Sequence, residues 1–245
     1  MTQPSTAGMR KAVLEDDQRH VGVPMLLHTA DSLVADADPG RFSTAGYLHQ
    51  AALGRRLLET GDLGGDATGA HLLSLNFHAV PVWARAEAEE RIRRVLALGR
   101  PYDPDGDAAG LRVMLAFYDG DRDTGHFADQ LCQELQVRAW FFPVVSTTLE
   151  TGPRLTDDEL AGIAQHHELA FHTASHRSAA EITPGNQQAE VLGPIERLTR
   201  AGGRVPRLAA WRGGARFDEH ALGDSLIRDL GVRYLVSNWS IEPVG

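Results

Sequence analysis

The sequence is short of cysteine: Cys132 stands alone, so the chain can form no internal disulfide, which fits a reducing compartment. It is also short of positive charge. Lys and Arg number 24 against 33 Asp and Glu, a formal charge of -9. Nucleic acids and anionic membranes demand a basic surface, so neither is an expected partner. Long hydrophobic runs are missing too. The opening residues, MTQPSTAGMRKAVLEDDQRH, lack the apolar core of a secretory signal, and no later stretch is long enough to span a bilayer. A cytoplasmic protein with a small-molecule substrate is the expectation, and nothing in the sequence points to an oligomeric state. Internal repeats and low-complexity tracts are absent as well.

What is present is ordinary globular material. Hydrophobic residues make up 42% and charged residues 23% of 245 positions, enough for one large α/β domain. Residues 1–20 read as a flexible lead-in and 21–245 as a single catalytic domain. Val21–His28 is apolar enough for a strand, and Ser43–Glu59 carries a helical apolar stripe. Gly61–Gly69 reads as a loop, and Asp31–Gly40 as a lid or surface loop. Strands are then expected at Leu72–Phe77, Leu111–Phe117, Arg138–Val145, Glu168–Phe171, Leu208–Trp211 and Tyr234–Ser237. Helices are expected over Ala84–Leu98, Gly125–Leu135, from Thr156 onward, over Gln187–Arg200 and over Glu219–Asp229. Alternation of this kind predicts parallel pairing in an α/β barrel or doubly wound sheet, with chemistry at the strand ends.

Two strand ends carry that chemistry. Leu115-Ala116-Phe117 runs into Tyr118-Asp119-Gly120, and Phe171 runs into His172-Thr173-Ala174-Ser175-His176. Histidines four apart share a face when the chain has just turned helical, and a carboxylate from a neighbouring strand end completes a two-histidine, one-carboxylate set. Three protein ligands leave positions open for water and substrate, as catalytic metal sites require. The expected metal ligands are therefore Asp119, His172 and His176. Trp140, Phe141 and Phe142 read as core, and Cys132 as a packed thiol rather than a nucleophile.

With these segments in view, the chain resembles the polysaccharide deacetylases, which remove N-acetyl groups from sugars. LAFYDGDRDT, RAWFFPVV and FHTASH follow one another in the order of the family's motifs, and the likeness runs from about Leu72 to Ser237. The resemblance implies a distorted (β/α) barrel and one divalent ion, zinc first, with iron, cobalt, nickel or manganese as alternatives. It also assigns roles. The family's catalytic-base aspartate falls on Tyr118, a departure, since a phenol titrates near 10 and is a poor base at neutral pH. Asp121 and Asp123 follow in the same loop as acids that would stand in. Arg212 matches the arginine of a later motif whose prolines are glycines here, and it would hold a carboxylate or the Tyr118 phenol. The family's catalytic acid, a histidine, falls on His78 of Leu75-Asn76-Phe77-His78, as in permuted members; His28 of Met25-Leu26-Leu27-His28 is the other candidate. Trp239 is a candidate roof for the pocket.

These roles imply a metal-dependent amidohydrolase acting on a small intracellular amide or amino-sugar metabolite. The same metal set would also serve an oxygenase, isomerase or lyase, and loss of the base would also fit a non-catalytic binding relative.

Overall fold

The structure is a computed structural model that describes residues 18–29, 44–62, 71–106, 110–146 and 152–245. Most of the expected N-terminal lead-in, the whole Asp31–Gly40 segment and most of the Gly61–Gly69 loop lie outside the described residues.

In chain order the elements are α1 (Gln18–Val21), β1 (Val23–His28), α2 (Thr44–Thr60), β2 (His71–Phe77), α3 (Arg85–Leu98), β3 (Arg100–Pro101), β4 (Arg112–Tyr118), α4 (Arg122–Glu134), β5 (Trp140–Phe142), α5 (Asp157–Ile163), β6 (Glu168–Leu169), α6 (Gly193–Gly202), β7 (Leu208–Ala210), α7 (Leu222–Asp229), β8 (Tyr234–Val236) and β9 (Ile241–Pro243). One sheet runs β1-β2-β4-β5-β6, with β3 also on β4, and a second runs β7-β8-β9. Parallel bridges join them at both edges, Phe171 to Ala209 and His28 to Ser240. The ring is thus an α/β barrel of ladders interrupted at two joints.

The strand alternation explains the parallel pairs β2·β4, β4·β5, β5·β6 and β7·β8. Two pairs run antiparallel instead, β1·β2 and β8·β9. For β9 the reason is length: Ser237–Ser240 suffices for a tight reversal but not for a crossover.

Side-chain alternation sorts β4 into two cores. Val113, Leu115 and Phe117 face the helices, while Met114, Ala116 and Tyr118 fill the ring. All seven β4 residues are buried, as a strand covered on both faces must be. Trp140 and Phe142 join the inner cluster and Phe141 the outer one, and Cys132 is fully buried. Gly54 lets α2 lie directly on β1, since a Cβ there would come within 2.3 Å of the Pro24 carbonyl oxygen.

Helix starts follow their caps. Thr156 and Glu159 form a reciprocal capping box at α5, and Asp121 accepts the Thr124 N–H at 2.8 Å to open α4 three residues before Gly125. The expected Gln187–Arg200 helix begins as a π turn over Gln188–Leu192 before continuing as α6. Such turns recur at functional sites.

Candidate metal centre

The polar ends of β4 and of the segment after β6 meet at one end of the ring. Asp119, His172 and His176 each offer a ligand atom, and these atoms lie within 4.8 Å of one another. Asp119 Oδ1 is 3.5 Å from His172 Nε2 and 3.7 Å from His176 Nε2. Those separations are long for hydrogen bonds, but two ligands about 2.0–2.1 Å from a shared tetrahedral ion sit about 3.4 Å apart. Asp119 Oδ1 and His172 Nε2 are both buried with no hydrogen-bond partner. A buried carboxylate oxygen and a buried imidazole nitrogen facing each other at that distance are costly unless something bridges them, so the residues fit a divalent ion.

Each ligand is oriented from behind. His172 Nδ1 lies 2.8 Å from the Ala210 carbonyl oxygen, which can only accept; the proton therefore sits on Nδ1 and the lone pair on Nε2, toward Asp119. Burial, then the neighbouring His172 ring, pushes the His176 imidazole down to about 4, leaving it neutral and able to ligate at neutral pH. Burial opposes ionisation of Asp119, but the facing His172 and His78 imidazoles outweigh it and hold the carboxyl well below the usual range.

The backbone here is strained. Four described non-glycine residues have positive φ: Asp119 (66°), Thr173 (61°), His176 (61°) and Gln136 (56°). Three of them belong to the cluster or its loop, and left-handed backbone costs about 1 kcal/mol or more at each. Gly120 continues the turn after Asp119 at φ 72°, with its Cα so close to Pro143 that a Cβ would sit 3.0 Å from it.

Glu190 holds the His172–His176 loop in this conformation. Its carboxylate accepts the Ser175 N–H at 3.0 Å and the Ser175 hydroxyl at 2.6 Å, and its backbone carbonyl accepts the Ala174 N–H at 3.2 Å. It projects from the π turn and is itself buried. The sequence reading missed it, because an acid at the start of an amphipathic helix looks like one that faces solvent.

The other candidates fall into place around the cluster. His78 comes directly after β2, and its Nδ1 is 3.0 Å from Asp119 Oδ2, so the two Asp119 oxygens face different partners. His28 lies elsewhere: it pairs across from His71, at the far end of β2 from His78, and its Nε2 meets Gln50 Nε2 at 3.0 Å. Tyr118 points into the ring, stacked on Phe142 (4.6 Å) and His78 (5.3 Å) and edge-on to His172 (5.5 Å). Burial, and then the Asp119 carboxylate, raises its phenol far above the ordinary range and keeps it protonated. Asp121 is spent as the α4 cap, and Asp123 pairs with Arg85 at 2.6 Å. The Arg212 guanidinium donates to Glu181 at 2.7 Å, and Glu181 in turn meets Arg177 of the histidine loop at 3.6 Å. Trp239 is buried and packs against Gly214, whose Cβ would meet its ring at 3.0 Å.

The family described as Polysaccharide deacetylase matches residues 105–235, just over half of the chain, a range that includes Tyr118, Asp119, His172, His176 and Arg212 but not His78 or Trp239. The chain belongs to the polysaccharide deacetylase family. That membership places it among the deacetylase-type hydrolases. The fold agrees. IcaB from Ammonifex degensii is 16% identical with a TM-score of 0.56, over 69% of this chain and 84% of its own. A polysaccharide deacetylase from Bacillus cereus is 14% identical with a TM-score of 0.53, over 70% of this chain and 63% of its own. No curated protein matches the sequence significantly. Within this deacetylase fold no described helix is long and apolar enough to cross a membrane.

Proposed function

We propose that the protein is a metal-dependent N-deacetylase, with zinc as the ion, acting on a small compound that carries an N-acetylated amino sugar. The observation that carries this reading is the convergence of two orphaned buried atoms, Asp119 Oδ1 and His172 Nε2, with His176 Nε2. When bound there, a divalent ion supplies Lewis acidity toward an amide carbonyl and toward water.

The remaining chemistry belongs to His78. With Nδ1–H donated to Asp119 Oδ2, the Nε2 lone pair is left to exchange protons with substrate. Tyr118 stays protonated and takes no proton, so we assign both transfers to His78. It accepts a proton from the attacking water as the C–O bond forms, then delivers that proton to the amine nitrogen as the C–N bond breaks. Acetate and a free amine leave. Arg212, tied to Glu181, acts on this scheme through the histidine loop rather than on the substrate.

The test is acetate release from N-acetylated amino sugars by zinc-loaded protein. Chelation should abolish it, zinc should restore it, and His78→Ala should lower kcat by about 10²- to 10⁴-fold. No acetate release from any N-acetylated amino sugar, with zinc, cobalt, nickel, manganese or iron supplied in turn, would sink the reading.

One observation favours a second reading. A phenol held protonated and edge-on to His172 is a hydrogen-bond donor beside the cluster, which suits a metal-assisted isomerase, lyase or oxygenase. Iron in protein purified without added metal, together with oxygen-dependent turnover, would select it.

A further inference from the structure

The inner face of β4 carries polar groups at both ends. Tyr118 closes one end beside Asp119, and alternation puts Arg112, the first residue of the strand, on the same face at the other. Six steps of strand separate the two, about 20 Å, so Arg112 marks a place distinct from the candidate metal centre.

Arg112 is 7% exposed. Its guanidinium Nε and Nη2 are enclosed, and no described residue accepts a hydrogen bond from either. Those two N–H groups make up the side-on fork of a guanidinium, the edge that grips two oxygens of one carboxylate or phosphate. Arginine cannot shed its proton to escape burial, so an enclosed guanidinium needs a counter-charge.

The neighbouring side chains supply none. The Tyr102 ring lies under the guanidinium at 5.6 Å, a contact worth far less than a paired charge. Burial, and then Tyr234, raises the Tyr102 phenol above its ordinary range and keeps it neutral. Asp103 and Asp105 turn to Arg207, at 3.4 and 2.6 Å, and Asp105 also to Arg233. Glu168 is taken by Arg138, Arg204 and Arg207. Two further enclosed donors without an acceptor belong to the same group of side chains, Trp140 Nε1 and Arg207 Nε. The Trp140 and Tyr102 rings are 6.1 Å apart, and Arg207 lies over Trp140 at 5.4 Å. At the metal centre the open atoms are lone pairs; here every one is an N–H.

We infer that Arg112 holds a small oxyanion, a carboxylate or phosphate bound side-on through two oxygens, at the end of the ring opposite the metal centre. Such an anion neutralises a buried charge in the folded chain alone, so it stabilises the fold whether or not the metal centre hydrolyses amides.

The experiment is thermal unfolding of the zinc-loaded protein, dialysed against chloride and then titrated with inorganic phosphate, acetate or chloride at matched ionic strength. Phosphate or acetate should raise the midpoint with saturation, and chloride should not. The probe that saturates at the lower concentration assigns the class. Arg112→Met removes the charge at similar length, so the saturable stabilisation should vanish. Arg112→Lys keeps the charge but loses the fork, and anion affinity should fall by about tenfold or more. His172→Ala should retain the effect in full, which separates it from an anion bound to zinc. No stabilisation beyond chloride in the wild type overturns the site. So does an unchanged effect in Arg112→Met or Arg112→Lys, or its loss in His172→Ala.

Discussion

The two ends of β6 carry polar groups with opposite fates. At its start Glu168 is buried, and its carboxylate is saturated by Arg204, by Arg138 at 3.1 Å and by Arg207 at 3.2 Å. Just beyond its end His172 is equally buried, yet its Nε2 faces Asp119 Oδ1 with no partner for either. Burial is the same; satisfaction differs. A folding chain supplies partners for buried polar groups wherever nothing else will, so the end it leaves open is the end prepared for something else. The backbone agrees, since three of the four described non-glycine residues with positive φ, Asp119, Thr173 and His176, lie at the histidine end.

Removing a ligand should break the comparison at its open end, with the largest effect. His172→Ala should leave the fold intact and reduce metal affinity well beyond the roughly 10- to 100-fold cost of losing a mere supporting contact. Calorimetric zinc titration reads this directly, and metal-induced thermal stabilisation should vanish with it. Unchanged zinc affinity would mean the ion is held elsewhere.

The saturated end should respond in stability alone. Glu168→Ala removes a shared partner from three guanidinium groups. Those of Arg138 and Arg204 are more than half exposed and rehydrate, whereas that of Arg207, largely buried over Trp140, keeps Asp105 at 2.6 Å but loses its second carboxylate. The cost should fall at the low end for breaking a buried pair, about 3 kcal/mol in denaturant unfolding. Zinc affinity per folded molecule should not change. A shift in zinc affinity would show the two ends of β6 to be coupled.

Glu190→Ala tests the loop between these extremes. Its carboxylate holds Ser175 between two residues of positive φ, Thr173 and His176, so its loss should let the strained loop relax. Zinc affinity should drop by about 10- to 100-fold, with partial recovery in Glu190→Gln, which keeps one acceptor.

How far the sequence displayed this arrangement depends on the range of each interaction. The deacetylase barrel was legible because β4 is apolar from Val113 to Phe117 and Thr156 and Asp121 mark helix starts chemically. The grouping of Asp119, His172 and His176 was legible because each sits where an apolar run stops. Glu190 was not, since its meaning lies in Ser175, fifteen positions away and reached only through a π turn. Nor was the Arg212–Glu181 pair, 31 positions apart. Motif positions survive in one dimension; what a side chain is tied to does not.

Tyr118 should give the smallest effect and the sharpest one. The motif resemblance sends the family's base to this position, yet the residue is 9% exposed, stacked between Phe142 and His78, and held protonated by burial. Tyr118→Phe keeps the ring, its stacking and its volume and removes only the hydroxyl. If His78 performs both proton transfers, the change should cost less than about tenfold in kcat and leave the pH dependence of kcat in place, because no titrating group is lost. A loss of about 10²- to 10⁴-fold would mean the phenol itself moves a proton, and that would transfer the weight of the functional reading to the non-hydrolytic chemistry. Tyr118→Asp adds the converse. A carboxylate there would lie beside that of Asp119 in a buried site, where two like charges are costly without an ion between them. Its stability should therefore depend on zinc more steeply than that of the wild type, which unfolding with and without chelator would measure.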